Sequence, residues 1–74
     1  MTGRPIDVLN EAKGKNVMLK LKNRTQMSGI IKAFDMHINV WLEDADVTDA
    51  EGNTTKLGNT LVRGDSIIYI SPVQ

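Results

Sequence analysis

Apolar residues recur along the chain with two different periods. Near the N-terminus, Ile6 and Leu9 follow Pro5 at helical spacing, and proline suits the first turn of a helix. Gly14 provides a stop signal shortly afterwards. We therefore predict one short helix over about residues 5–12, followed by segments in which apolar and polar residues alternate as they do in half-buried strands.

Five such segments, separated by turn residues, predict five short strands at about residues 16–22, 26–34, 38–49, 54–63 and 66–71. Gly29 lies in the middle of the second strand, where glycine lowers stability unless the strand must bend sharply. Strong bending is how a short sheet closes into a small barrel. We therefore expect a mostly β fold in a single domain over residues 1–74: a short N-terminal α-helix followed by a five-stranded, strongly bent antiparallel barrel.

The predicted core draws on apolar positions in the helix and in all five strands. It comprises Ile6, Leu9, Val17, Leu19, Leu21, Ile30, Phe34, Ile38, Val40, Leu42, Leu61, Ile68 and Ile70.

A chain of 74 residues buries little surface, so a domain of this size usually needs a further source of stability. The sequence has no cysteine and one histidine, which excludes disulfides and metal sites built from thiolates or from several histidines. Oligomerisation remains, and the last predicted strand, which carries no charge, is suited to pairing with another chain.

The formal net charge is zero, but the charges are unevenly distributed. Basic residues precede an acidic stretch that contains Glu43, Asp44, Asp46, Asp49 and Glu51. A neutral total argues against a simple non-specific nucleic-acid binder, because such proteins are usually basic. It is compatible with a site-specific RNA binder that uses a few well-placed cations.

Targeting signals and membrane segments are not evident in the sequence. The N-terminus has no apolar signal region, and no apolar run approaches the roughly 20 residues needed to cross a bilayer. We expect a soluble, cytoplasmic protein with no membrane partner and no cofactor.

Two predicted loops, residues 34–39 and 62–65, carry polar groups that could bind a ligand. The ring of His37 and the guanidinium of Arg63 are planar and could stack on a base, although each could equally be an ordinary surface residue. Asn39 offers a donor and an acceptor on one amide, which can match the edge of a base, or it could cap the next strand.

The same loops contain three further residues with simple turn roles. Asp65 could accept a hydrogen bond from a base N–H or cap its turn. Asp35 is best interpreted as a turn residue whose carboxylate accepts backbone hydrogen bonds and holds the loop in shape. Gly64 is expected to serve a tight turn at positive φ. Together the two loops contain the parts of a base pocket, in which stacking alone would contribute about 1–3 kcal/mol per base.

These loops lie in segments that resemble the motifs of a known family. Residues 27–42, Met-Ser-Gly-Ile-Ile-Lys-Ala-Phe-Asp-Met-His-Ile-Asn-Val-Trp-Leu, resemble the first Sm motif, with its glycine, its aromatic residue and its Asp-x-φ-x-Asn loop. Residues 61–70, Leu-Val-Arg-Gly-Asp-Ser-Ile-Ile-Tyr-Ile, resemble the second Sm motif. The chain therefore resembles the Sm-like (Lsm) proteins of the archaeal kind, since the Tyr-Lys-His type motif of the bacterial branch is absent.

The resemblance implies both an assembly and a partner. The fold would be an Sm-type (SH3-like) barrel, and the fourth strand of each subunit would pair with the fifth strand of the next to form a ring, typically a homoheptamer. The ring would bind single-stranded, uridine-rich RNA near its central pore and act in RNA processing, decay or chaperoning. Other RNA-processing proteins would be further partners.

The resemblance also implies a role for each motif residue. His37 and Arg63 would sandwich the base, while Asn39 and Asp65 would read the edge of uracil. The residues that would support the pocket are Asp35 and Gly64. A second RNA surface near the helix would use Arg4 and Phe34.

Three alternatives follow from the same residues. No nucleophile–base–orienter set and no phosphate-cradling glycine loop is visible, so we do not expect an enzyme. A ring-shaped protein–protein scaffold without sequence-specific RNA binding stays open, and it predicts assembly without a preference for uridine. An unrelated OB or SH3-like barrel would have no reason to combine these loop residues.

Trp41 departs from the family pattern and is open to three interpretations: a half-buried strand aromatic, an exposed contact or part of a ring–ring surface.

Overall fold

The computed structural model describes residues 3–73, which form one helix followed by five strands. The elements are α1 (Pro5–Ala12), β1 (Asn16–Leu21), β2 (Gln26–Phe34), β3 (Val40–Thr48), β4 (Thr54–Val62) and β5 (Ile67–Pro72). A single 3-10 turn, Gly64–Ser66, connects β4 to β5. The predicted fold class is confirmed. Within residues 3–73, no helix has the length and apolar character that crossing a membrane requires.

The five strands form one antiparallel sheet in the order β4-β3-β2-β1-β5. The pairing of β2 with β3 shifts register twice, between Ser28 and Ile30 and between Ile31 and Ala33. Gly29 lies at the first shift, and a Cβ atom placed there would be 3.0 Å from the carbonyl oxygen of Glu43. The missing side chain therefore lets β2 and β3 approach closely where the sheet bends. The order leaves β4 and β5 as the two edges of the sheet.

The core is one cluster formed by residues of α1 and of the strands. Its buried residues are Leu9, Ala12, Val17, Leu19, Leu21, Met27, Ile31, Val40, Leu42, Ala45 and Val62. Two of the predicted core residues are wrong, since Leu61 is 62% exposed and Ile68 is 59% exposed. Ile30 is only half-buried, and its neighbour Ile31 is the fully buried residue. Leu61 and Ile68 lie on the two edge strands, where alternation does not reveal which side faces the core.

The third strand begins later than the alternation predicts. Alternation indicates a start at residue 38, but β3 begins at Val40. Ile38 has a φ of 60°, which is the left-handed region and cannot continue an extended strand. Ile38 therefore belongs to the loop between β2 and β3, which is where the candidate site begins.

Candidate functional site

Two loops meet at one end of the sheet and enclose a surface pocket of about 520 Å³. One is the β2–β3 loop, residues 35–39, and the other is the turn that follows β4. The pocket is lined by His37, Asn39, Arg63, Gly64 and Asp65. The four residues expected to contact a base therefore lie together around one space, although the two loops are more than 20 residues apart in the sequence.

Asp35 organises the β2–β3 loop. Its Oδ1 atom accepts hydrogen bonds from the backbone N–H of His37 at 2.9 Å and of Asn39 at 3.1 Å. Its Oδ2 atom accepts a third bond from Nδ2 of Asn39 at 3.0 Å. The bond from the Asn39 side chain, followed by those from the two backbone N–H groups, holds the pKa of Asp35 below its ordinary value despite some desolvation. This is the arrangement that the turn interpretation of Asp35 requires.

Asn39 connects the two loops. Its Oδ1 atom accepts a hydrogen bond from the backbone N–H of Gly64 at 2.8 Å, while its Nδ2 atom donates to Asp35. Both ends of the amide are therefore engaged, which fixes the side-chain plane and determines which atom is the acceptor. Each end keeps one free hydrogen-bonding position, because an amide oxygen has two lone pairs and an amide nitrogen has two hydrogens.

Gly64 is required by close packing rather than by its backbone angle. The expectation of a positive φ is wrong, since Gly64 is not among the glycines in the left-handed region. A Cβ atom at this position would collide with the carbonyl oxygen of His37 and would lie 2.8 Å from that of Ile38. The absence of a side chain therefore lets the turn after β4 pack directly against the backbone of the β2–β3 loop.

Ile38 is a residue that sequence reasoning missed in this loop. A β-branched residue at a φ of 60° is strained, because its Cβ crowds the backbone in the left-handed region. The β3–β4 loop has the same pattern, since Asp49 accepts hydrogen bonds from the backbone and side chain of Asn53. The residue that precedes Asn53 is Gly52, with a φ of 90°. The repeated Asp-x-x-x-Asn pattern was the signal in the sequence that would have identified the strained position.

The side chains at the rim of the pocket are solvated. His37 is exposed, and the Arg63 side chain is 79% exposed. The guanidinium of Arg63 forms an ion pair with Asp65, with 3.2 Å between Nη2 and Oδ2. An exposed pair of this kind contributes little to stability, so both groups are free to rearrange around a ligand.

The second predicted surface involves two residues with separate partners. Arg4 forms an ion pair with Asp7 at 3.0 Å, next to the start of α1. Phe34 is half-buried beneath Lys13, whose Nζ lies 5.3 Å from the centre of the ring. A second RNA surface at these residues stays a prediction. Across residues 3–73, no group of three or more His, Cys, Asp or Glu side chains is placed to hold a metal ion.

Comparison with known proteins assigns the chain to a family. Residues 7–72 match the LSM domain. A protein of Methanosarcina barkeri described as snRNP Sm-like is 35% identical over 72 residues, which is 97% of this chain and 100% of that protein. Among solved structures, the SmAP1 heptamer of P. aerophilum matches with a TM-score of 0.91 and 36% identity, over 100% of this chain and 99% of that chain.

A further solved structure, the Sm protein of Pyrococcus abyssii in complex with a uridine heptamer, matches with a TM-score of 0.89 and 32% identity. The match covers 96% of this chain and 100% of that chain. The fold and the two loops thus define an Sm-type barrel. The chain belongs to the LSM domain family, and the relatives named above are archaeal Sm-like proteins.

Proposed function

We propose that this chain is the subunit of a homo-oligomeric ring that binds single-stranded, uridine-rich RNA near its central pore. The observation that carries the proposal is the pocket in which an aromatic ring, a guanidinium and an oriented amide surround one space. These are the groups with which proteins bind unpaired bases, by stacking on their faces and by hydrogen bonding to their edges.

The faces of the base would be held by His37 and Arg63. Both side chains are planar, both line the pocket and both are exposed. A base between them would stack on an imidazole on one side and on a guanidinium on the other. The guanidinium would also supply the positive charge that a nucleotide phosphate needs nearby. Its present partner, Asp65, is weakly held and can exchange for the ligand.

The edge of the base would be read by Asn39, with Asp65 beside it. Uracil presents an N3–H donor between two carbonyl acceptors. The free lone pair on Oδ1 of Asn39 can accept from N3–H, while the free hydrogen on Nδ2 can donate to a neighbouring carbonyl. Because Asp35 and Gly64 fix the orientation of this amide, the donor and acceptor cannot exchange places without breaking two hydrogen bonds.

Ring assembly is supported by the two edges of the sheet. Three exposed apolar residues on the edge strands are available for this contact: Leu57 on β4, and Ile68 and Tyr69 on β5. A groove of about 650 Å³ runs between α1 and β5 and is lined largely by apolar residues. A second copy that places its β4 beside β5 would satisfy the unpaired backbone groups of both edges and cover this apolar surface.

A homoheptamer is the assembly we propose, since two solved relatives are heptamers and one relative is in complex with a uridine heptamer. A ring would repeat Arg63 around one circle, which produces a local positive potential although the chain is neutral. It would also combine several weak nucleotide sites into one strong site. We assign the protein a binding role rather than an enzymatic one, in the cytoplasm where RNA is processed, with other RNA-processing proteins as further partners.

Fluorescence anisotropy with labelled oligo-U and oligo-A, at one fixed salt concentration, tests the proposal. We expect selective binding of oligo-U. Arg63→Ala should weaken this binding strongly, and Asn39→Ala should weaken it and remove the preference for oligo-U over oligo-A, while the assembly stays intact by sedimentation. The chain offers two matched controls. Arg24→Ala removes the same charge from the β1–β2 turn, and Asn53→Ala removes the same loop amide from the β3–β4 loop; both should leave binding unchanged.

Equal and weak binding of oligo-U and oligo-A, unaffected by Arg63→Ala or Asn39→Ala, would reject the pocket. In that case a ring that organises protein partners without reading RNA sequence would be the better account. A loss of binding in the Arg24→Ala variant equal to that in Arg63→Ala would show general charge attraction rather than a pocket.

A further inference from the structure

An apolar patch lies on the outer face of the sheet beside the pocket. Trp41 points outward, because its neighbours Val40 and Leu42 are both fully buried on the other face. Trp41 is paired across the sheet with Ala33 on β2 and with Leu61 on β4. Ala33 is exposed, Leu61 is 62% exposed and Trp41 is 38% exposed. Cross-strand partners share a face of the sheet, so these three side chains form one continuous row.

The row lies close in sequence to two residues of the pocket, one before β3 and one after β4. Trp41 follows Asn39 by two residues, and Leu61 precedes Arg63 by two residues. Arg63 keeps an extended backbone beyond the end of β4, so its side chain lies on the same face as Leu61, about 7 Å further along the chain. A strand of RNA that leaves the pocket along β3 and β4 would meet this patch first.

We propose that Trp41 is a stacking platform for the nucleotide next to the one held in the pocket. The inference rests on the proposed function and extends the site from one nucleotide per subunit to two. An exposed indole beside an aliphatic side chain offers the flat apolar surface on which unpaired bases stack, whatever their identity. The nearest carboxylate along the strand, Glu43, is paired with Lys32 at 3.8 Å, which offsets its repulsion of a phosphate.

A base fits this patch better than a protein partner does. The patch consists of three side chains, whereas a standard protein interface uses about 20–30 residues a side. The patch is also continuous with the candidate RNA pocket. Its border is formed by the polar residues Asn39 and Arg63, not by further apolar residues. A second ring docking on this face is the alternative that the experiment below separates.

The chain has one tryptophan and one tyrosine, so fluorescence excited at wavelengths that tyrosine does not absorb reports on Trp41 alone. The assembled protein would be titrated with a uridine heptamer and, separately, with uridine monophosphate. We expect the heptamer to quench the fluorescence of Trp41, because a base stacks on the indole. Uridine monophosphate, which can fill only the pocket, should leave the fluorescence nearly unchanged.

Variants at the same position provide the second measurement. Trp41→Val should weaken heptamer binding by about five- to 150-fold, which is the range that corresponds to the loss of one base–aromatic stack. Trp41→Phe keeps an aromatic face and should retain most of the affinity. Affinity for uridine monophosphate should be the same in both variants as in the wild type. If Trp41→Val does not assemble, the quenching of the wild-type protein still decides the question.

The inference and the proposed function fail in different ways. Selective heptamer binding with no quenching, together with wild-type affinity in Trp41→Val, would overturn the platform and leave the pocket standing. No binding of the heptamer by the wild-type protein would overturn both. A Trp41→Val variant that binds RNA normally but sediments as a smaller particle would show that this face contacts another ring, which also overturns the platform.

Discussion

The β2–β3 and β3–β4 loops use the same five-residue pattern for different purposes. Asp35 and Asp49 each accept hydrogen bonds from the asparagine four residues later. The loops differ in the residue before that asparagine, which is Ile38 in one and Gly52 in the other. The loop that faces the pocket therefore carries a side chain where the other has none, and Ile38 uses it to pack against the core. Strain at a candidate site is thus offset by local packing.

A comparison of two variants measures this strain. Alanine is usually more favourable than glycine, but at a φ of 60° its Cβ is disfavoured by about 1–2 kcal/mol. We expect Ile38→Gly to have a higher free energy of unfolding than Ile38→Ala, by about 1 kcal/mol. Urea unfolding at one fixed protomer concentration gives the answer, since the stability of an oligomer depends on concentration. An alanine variant that is the more stable of the two would show that position 38 is not strained.

The charge state of Asp35 is a second property at the residue scale. Its pKa is lowered in the folded chain, so the carboxylate stabilises the fold at any pH above the unfolded value. This contribution is lost as the pH falls through the lower, folded value. Carbon-13 NMR titration of the Asp35 carboxyl, assigned with Asp35→Asn, should give a midpoint below the ordinary value. Asp49, whose pKa is lowered by the equivalent bonds from Asn53, should behave in the same way. A midpoint for Asp35 at or above the ordinary value would contradict the hydrogen-bond geometry of the loop.

The alternation of apolar and polar residues was sufficient to predict the five strands. It was not sufficient to predict, for every strand, which residues face the core. The positions Val17, Leu19 and Leu21 are buried as expected, because β1 is central and regular. On β2 the shifts in strand register change which residues face the core. A strict alternation of apolar and polar residues does not contain such a shift, so the sequence pattern does not reveal it. On the edge strands β4 and β5 apolar residues such as Ile68 face outward, and the sequence of one chain does not reveal what covers them.

The bend of β2 depends on Gly29. A Cβ atom there would lie 3.0 Å from the Glu43 carbonyl oxygen and 3.1 Å from the Cα of Ala45, both of which are backbone atoms. We expect Gly29→Val to lower the free energy of unfolding by about 1–3 kcal/mol, because the backbone must move to admit a branched side chain. Gly29→Ala, with a single added carbon, should have a smaller effect in the same thermal unfolding experiment. A Gly29→Val protein that melts with the wild type would count against the close approach of β2 and β3.

At the scale of the whole molecule, the sheet is open at both edges. In the proposed ring, pairing of the edges of β4 and β5 would give a chain of 74 residues stability that a small core does not supply. The two motifs in the sequence indicated which residues lie around the pocket, and their binding of a base stays a prediction. The sequence did not predict the role of Asn39 in connecting the two loops or the reason for Gly64, since both depend on a contact between distant segments.

The edge of β5 can be tested with one charge. Ile68→Glu would place a carboxylate among apolar residues at the proposed subunit contact, where burial of an unpaired charge is unfavourable. We expect the particle mass from sedimentation velocity to fall below that of the wild type. Met36→Glu adds the same charge at a residue of the β2–β3 loop that is 89% exposed and belongs to neither edge strand, so the particle mass of this variant should not change. An Ile68→Glu protein that sediments as the wild type does would place the subunit contact elsewhere.

The central claim is that Asn39 reads the edge of uracil, and a change in the base tests it most directly. The affinity of an oligomer of uridine would be compared with that of an oligomer of N3-methyluridine, which can still stack but has lost its N3–H donor. For the wild type we predict a large loss of affinity on methylation, and for Asn39→Ala we predict little difference between the two oligomers. Equal binding of both oligomers by the wild-type protein would show that the pocket holds bases by stacking alone, and would contradict the account given for Asn39.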